Sequence, residues 1–239
     1  MYHRVVESRN DAGKHNIYVT KRDLIKQFEY LKQKGYQTIT FKDLHEPGDF
    51  SKKVILTFDD GYVDNYDLLF PLLQKYQFTA VIFLVTLQTR NEWGIVEGEP
   101  AISLMNNAQL KEMHEYGVEF GGHTRTHVDL TRLTKEKIWD EISGCKQDVE
   151  KILNTQIISF SFPYGATNEQ VKEAVKESGF RYGISTKSGP DYLFDDLLQI
   201  KRIEISNRTS LQRFKTKVSG YYFKPSFIQR IFTHKENIL

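Results

Sequence analysis

What this sequence has little of narrows it first. It carries one cysteine, Cys145, which excludes an intramolecular disulfide framework and any cysteine-rich zinc or iron–sulfur centre. A metal here would have to be held by histidines and carboxylates. Charge of one sign is also missing. The 33 Lys+Arg against 31 Asp+Glu leave a net +2, so the balance shows neither a nucleic-acid footprint nor an acidic tail. No apolar run approaches the ~18 residues of a transmembrane segment, and the most apolar stretch, Thr79 to Leu87, is strand-sized. The opening Met1-Tyr2-His3-Arg4-Val5-Val6-Glu7 lacks the basic, apolar, small-residue order of a secretory signal. As written, the chain is expected to be soluble and cytoplasmic, with a cell-envelope or secreted setting if an upstream signal is missing.

The 239 residues suit one barrel-sized domain. Apolar periodicity predicts strands near Tyr2–Val6, Gln37–Thr40, Val54–Phe58, Thr79–Val85, Val118–Gly121, Ile157–Phe162, Tyr182–Ser185 and Ile200–Ile205. Helices lie between several of them. One opens at Thr20 and stops at Gly35; another opens on the capping-box pattern Thr167-Asn-Glu-Gln170 and stops at Gly179. A longer one, about Lys135 to Leu153, puts Cys145 on an apolar stripe with Ile138, Ile142, Val149 and Ile152, which reads as core. Such repeated strand–helix units imply a parallel α/β sheet, either a closed or nearly closed barrel or an open doubly wound sheet. Gln88–Asn107 breaks the alternation and reads as a long functional loop. The domain is expected to span 1–220. In the tail, 221–239, Phe227, Ile228, Ile231 and Phe232 can line one face of a short helix docked on the barrel; membrane-surface or partner binding is the other reading.

Three segments carry chemistry. Strand Val54–Phe58 runs into Asp59-Asp60-Gly61, which puts two adjacent carboxylates at a strand C-terminus, where parallel-sheet loops build active sites. They repel unless a cation or shared proton relieves them; a helix N-cap would need only one. Gly122-His123-Thr124-Arg125-Thr126-His127 follows another strand, and histidines four apart can share one face of a helical turn and one metal ion. One carboxylate plus two imidazoles leaves open positions for water and substrate, as a catalytic metal requires. Ser159-Phe-Ser-Phe-Pro-Tyr-Gly165 is a Pro–Gly turn or a rim loop whose N–H groups face a ligand.

In this order, Thr57-Phe-Asp-Asp-Gly61, His123-Thr-Arg-Thr-His127 and Phe162-Pro-Tyr-Gly165 resemble the first three motifs of the polysaccharide deacetylases, the NodB-homology or carbohydrate esterase family 4 group. The resemblance covers about Met1 to Ser206. It implies a distorted (β/α)7 barrel and metal-dependent removal of acetyl from an N-acetylated glycan or glycolipid-linked sugar, with no nucleic-acid partner. Carried over, Asp60, His123 and His127 would hold a divalent ion, usually zinc, and Asp59 would be the general base. The backbone N–H of Tyr164 would face the oxyanion, since Pro163 has none to offer, and Pro163 and Tyr164 would border the substrate.

The pattern also departs from the family. Where the third motif usually has an arginine that orients the base, this chain has Ser161. Arg202 is a possible replacement or substrate contact, with a structural ion pair as the weightier reading. The late Asp-x-x-Asp-Trp motif and the late Leu-x-His are missing. A branch resembling the poly-N-acetylglucosamine deacetylases uses a histidine on an N-terminal strand instead, which here is His3; a buried core histidine is the alternative. Trp93 can stack on a sugar ring or pack its loop, and Trp139 belongs to helix surface or core. His15, His45, His114 and His234 have no motif context and read as surface or packing residues. Besides deacetylation, a catalytically silent glycan-binding domain and a deacylase acting on O-acetyl or N-formyl groups remain open readings.

Overall fold

In a computed structural model, residues 1–44, 50–187 and 196–219 are described. Nine short strands run through them: β1 (Arg4–Val6), β2 (Tyr18–Thr20), β3 (Gln37–Thr38), β4 (Lys53–Val54), β5 (Thr57–Phe58), β6 (Val81–Leu84), β7 (Glu119–Gly122), β8 (Ser159–Ser161) and β9 (Tyr182–Ile184). β5 to β9 form one parallel sheet in sequence order, while β1 pairs with β2 and β3 with β4, also in parallel. Every residue of β5 to β9 is buried, as expected of parallel strands covered on both faces.

The covering helices are α1 (Lys21–Gln33), α2 (Phe70–Tyr76), α3 (Glu92–Val96), α4 (Asn107–Tyr116), α5 (Lys135–Trp139), α6 (Cys145–Leu153), α7 (Glu169–Glu177) and α8 (Leu211–Val218). Leu24, Phe28 and Leu31 recur at helical spacing on α1 and are fully buried. Thr20 caps that helix, its hydroxyl accepting the Asp23 N–H at 3.1 Å. α5 and α6 are one continuous helix interrupted by a π-turn over Asp140–Gly144. Cys145 sits on its inner face, and burial pushes its thiol up to about 12, which suits a core residue rather than a nucleophile.

Backbone bonds continue the sheet past both edges. Tyr2 N donates to Thr57 O at 2.8 Å and Asp59 N to Tyr2 O at 3.0 Å, so the first segment lies beside β5. Past β9, Ile200 N donates to Gly183 O and Ser185 N to Ile200 O, both at 2.8 Å, and Ile205 N donates to Met1 O at 2.8 Å. The sheet is therefore curled, with its first and last segments hydrogen-bonded to each other.

Several expectations need correction. Val54–Phe58 is two strands, because Val54 pairs with β3 while Thr57 pairs with β6. Ile200–Ile205 bonds to two neighbours but makes only one bridge, at Ile200. β2 runs directly into α1, so its residues read as the helix start in the sequence. The cap of α7 is Asn168, one residue past Thr167; it has the extended backbone a cap needs, and its Oδ1 accepts the Val171 N–H at 2.9 Å. The Gln88–Asn107 segment contains α3 and is tied down by antiparallel bridges at Arg90–Ser103 and Tyr62–Leu104. Among the described residues no helix is long and apolar enough to cross a membrane. His45, His234 and the tail 221–239 lie outside the described residues.

Candidate active site

The three motifs meet because their strands are neighbours and run in parallel. β5 delivers Asp59 and Asp60, β7 delivers His123, and β8 delivers Ser161 and the turn holding Tyr164, all at strand C-termini. Asp59, Asp60, His123, His127 and Tyr164, together with His3 from the first segment and Trp93 from the long loop, border a cleft of about 310 Å³. Among the described non-glycine residues seven have positive φ, and four of those belong to this site: Asp60, Thr124, His127 and Tyr164. Each such conformation costs on the order of 1–3 kcal/mol and persists only where the surroundings enforce it. His123 and His127 converge through such a turn, not on one face of a helix as their spacing suggests: Thr124 (φ 68°) and His127 (φ 60°) both leave helical space.

One oxygen of Asp60 and one nitrogen of each imidazole lie within 4.8 Å of one another, and all three side chains are buried. The hydrogen bonds behind them define what they can hold. His123 Nδ1 is 2.7 Å from the Ser161 carbonyl, which only accepts, so Nδ1 carries the proton and the Nε2 lone pair points inward. His127 Nδ1 is 3.2 Å from the Tyr164 hydroxyl, a partner that also allows this tautomer. Both Nε2 atoms are 3.3 Å from Asp60 Oδ1, yet that oxygen makes no well-formed hydrogen bond. Acceptors facing acceptors in a buried pocket call for a proton or a cation between them. Burial opposes charge on His123, but Asp60 and Asp59 outweigh it and raise its pKa; the same imidazoles hold Asp60 well below the usual carboxylate range despite its burial. A divalent ion fits this donor set, with each imidazole backed by a partner at its other nitrogen.

Asp59, next in the chain, is held differently. Arg202 Nη1 donates to its Oδ1 at 2.6 Å and Nη2 to its Oδ2 at 2.7 Å, a bidentate pair. The same guanidinium reaches Ser161 Oγ at 3.0 Å, Thr57 Oγ1 at 3.2 Å and Ser185 O at 3.0 Å, and Ser161 Oγ donates to Asp59 Oδ2 at 3.3 Å. Ser161 therefore leaves room for an arginine arriving from the late segment. Burial would raise the Asp59 carboxyl, but the charge and hydrogen bonds of Arg202 overcome it and hold it at about 2. Arg202 thus backs Asp59 and is not among the residues that line the cleft. Pro163, the first residue of the turn, is buried and likewise not among those lining residues.

His3 is partly exposed in the cleft. Burial lowers its pKa, against the opposing pull of Asp60 and Asp59. Its backbone is pinned: Asn65 Nδ2 donates to His3 O at 3.0 Å, and Asp64 accepts Arg4 Nε at 2.9 Å and Val5 N at 3.1 Å. Tyr164 is 55% exposed, so its ring is open to a ligand. The turn N–H groups of Gly165 and Ala166 are engaged with Phe162 O and Pro163 O. Trp93 stacks on His127 with centroids 4.3 Å apart and planes at 21°; one indole face is therefore covered by a candidate metal ligand.

Sequence reasoning missed the wall formed by His15, Glu97 and Glu99. Glu99 accepts the N–H groups of Lys14 (2.7 Å) and His15 (2.5 Å), and His15 Nε2 lies 2.9 Å from Glu97. These contacts clamp the long loop to the segment after β1 and place His15 in the cleft lining. No local pattern signals a contact across more than eighty residues.

The family profile described as polysaccharide deacetylase matches residues 48–183. A poly-beta-1,6-N-acetyl-D-glucosamine N-deacetylase from Staphylococcus epidermidis is 30% identical over 205 residues, which cover 80% of this chain and 69% of that protein. Among solved structures, the Streptococcus pyogenes deacetylase PplD in complex with acetate matches with a TM-score of 0.80 at 26% identity, over 92% of this chain and 96% of that one. A polysaccharide deacetylase from Bacillus cereus matches with a TM-score of 0.79 at 25% identity, over 92% and 67%.

Proposed function

This chain belongs to the polysaccharide deacetylase family, and from that premise we propose that it is a divalent-metal-dependent hydrolase removing N-acetyl groups from a glycan or glycolipid-linked chain of N-acetylglucosamine type. The observation that carries the reading is the buried Asp60–His123–His127 set, whose inward carboxylate oxygen and imidazole nitrogens converge on one point. The poly-beta-1,6-N-acetyl-D-glucosamine named as substrate of the S. epidermidis relative supports the sugar. The curled sheet is read as a distorted (β/α)7 barrel, its seven members being the first segment, β5 to β9 and the Ile200–Ile205 segment.

Asp60, His123 and His127 would hold a divalent ion, zinc by resemblance, which would supply a Lewis acid able to lower the pKa of a water and polarise the amide carbonyl. The chain's own groups do the rest. Asp59, ionised because Arg202 holds its pKa down, accepts the proton of the attacking water. The Tyr164 N–H, which the two turn bonds do not use, stabilises the oxyanion. His3 protonates the leaving nitrogen, without which a sugar amine departs poorly. Trp93 and Tyr62 wall the cleft on the side of His127.

The test is acetate release from N-acetylglucosamine oligomers by chelator-treated protein before and after Zn²⁺ is restored. Restored release is expected. Bound metal with no acetate released would instead favour a glycan-binding domain, and release confined to O-acetylated or N-formylated substrates would favour the other deacylase reading.

A further inference from the structure

We propose that Glu141, on the π-turn between α5 and α6, is a positioning residue for the metal centre: its carboxylate fixes the turn that carries His127 and thereby the spacing of the two imidazoles. This rests on the metal-site reading and extends it to a residue that touches no ligand atom.

The two histidines are anchored unequally. His123 ends a central strand, with its N–H donated to Leu84 O at 2.9 Å. His127 itself sits at φ 60° and is reached through Thr124 at φ 68°, a conformation that β-branched residues avoid. Something must hold that turn. The N–H groups of its two middle residues, Arg125 and Thr126, converge on one oxygen of Glu141 at 2.8 and 3.0 Å, and Thr126 Oγ1 donates to the other at 2.6 Å. One carboxylate thus orders three donors on successive residues. The turn closes with His127 N donating to Thr124 Oγ1 at 2.8 Å.

The helix is shaped for this contact. The π-turn over Asp140–Gly144 contains Glu141, and such bulges are frequent at functional sites. Gly144, in the same turn, lets the Arg125 side chain cross the helix, since a Cβ there would lie 2.6 Å from Arg125 Nε. That side chain then reaches Asp148 at 3.0 and 3.3 Å and Asp140 at 2.9 Å. On the turn, those two carboxylates hold the Arg125 side chain, with Asp148 also accepting the Thr86 hydroxyl at 2.8 Å, whereas Glu141 holds the turn's backbone.

The experiment uses the full chain, with Zn²⁺ affinity by chelator competition and the d–d absorption of the Co²⁺-substituted protein as readouts besides turnover. Glu141→Ala is expected to weaken Zn²⁺ binding roughly 10–100-fold, the usual effect of losing a group that orients metal ligands, and to change the Co²⁺ spectrum. Glu141→Gln is expected to recover most of the loss, since its amide oxygen can take the two N–H groups while its NH₂ donates to Thr126 Oγ1. Asp148→Asn, which loosens the same helix without touching the turn's backbone, should bind as the wild type does. If Glu141→Ala does not fold, the near-isosteric Thr126→Val carries the test, with a several-fold weaker affinity expected. Wild-type affinity and spectrum in Glu141→Ala, or in Thr126→Val should it stand in, would overturn the proposal, as would an equal loss in Asp148→Asn. A wild-type chain that takes up no Zn²⁺ overturns the metal-site reading itself.

Discussion

Asp60 faces two imidazoles and Asp59 faces one guanidinium, although the two residues are adjacent, both are buried, and both have carboxyls held below the ordinary range. The difference lies in what satisfies them. Both Asp59 oxygens receive hydrogen bonds from Arg202, so that corner is electrostatically complete and needs no further cation. Asp60 Oδ1 lies at 3.3 Å from two nitrogens without a well-formed bond to either, so that corner is complete only with a positive guest. One strand end therefore offers a cation site and a proton acceptor side by side, and the positive φ of Asp60 (79°) turns consecutive side chains to different partners.

Each half can be disturbed separately. The largest effect outside the two aspartates is expected from His3→Ala: kcat falls by about 10²-fold or more, the scale of a lost general acid, while metal content stays at the wild-type level. The decline of rate on the basic side should disappear with it, because a group that must be protonated to act no longer titrates. An unchanged pH–rate profile would place the acid elsewhere.

Arg202→Met acts chiefly on the Asp59 corner. Without the guanidinium, burial pushes the Asp59 carboxyl upward, so the acidic limb of the rate profile should move toward neutral pH while Zn²⁺ affinity changes little. Removing one partner of a buried pair costs about 3–5 kcal/mol, readable as a lower denaturation midpoint. The pH dependence has a definite sign. With a folded pKa of about 2 against roughly 3.9 unfolded, Asp59 contributes stability above about pH 4 that is lost as pH falls toward 2. The variant should lose that part of the acid-unfolding curve. Ser161→Ala is the mildest change. It removes the 3.3 Å bond to Asp59 and the 3.0 Å bond from Arg202 but leaves the bidentate arginine, so turnover is expected to fall only several-fold; a loss as large as that of Arg202→Met would mean that Ser161, not Arg202, sets the base.

The legibility of the sequence follows the range of the interactions. Asp59, Asp60, His123 and His127 stood at the ends of apolar strands, a local pattern, and the parallel order of those strands brought them together. Arg202 was visible only as one of two readings, because its partner lies 143 residues away and no periodicity encodes that distance. The sequence did point at the gap it fills, since Ser161 stands where an arginine is usual in the family. The histidine pair was legible as a pair but not as a shape: four-residue spacing suggests a helix, and the left-handed Thr124 and His127 depend on Glu141 from another element. The π-turn and the His15–Glu97–Glu99 wall left no signal for the same reason.

The most direct test of divided labour between neighbours compares bound Zn²⁺ and acetate release in Asp59→Asn and Asp60→Asn under the same conditions. Asp59→Asn is expected to keep stoichiometric metal while turnover falls by about 10²–10⁴-fold, and Asp60→Asn to lose both. Tight metal binding in Asp60→Asn, or loss of metal from Asp59→Asn, would contradict the assignment.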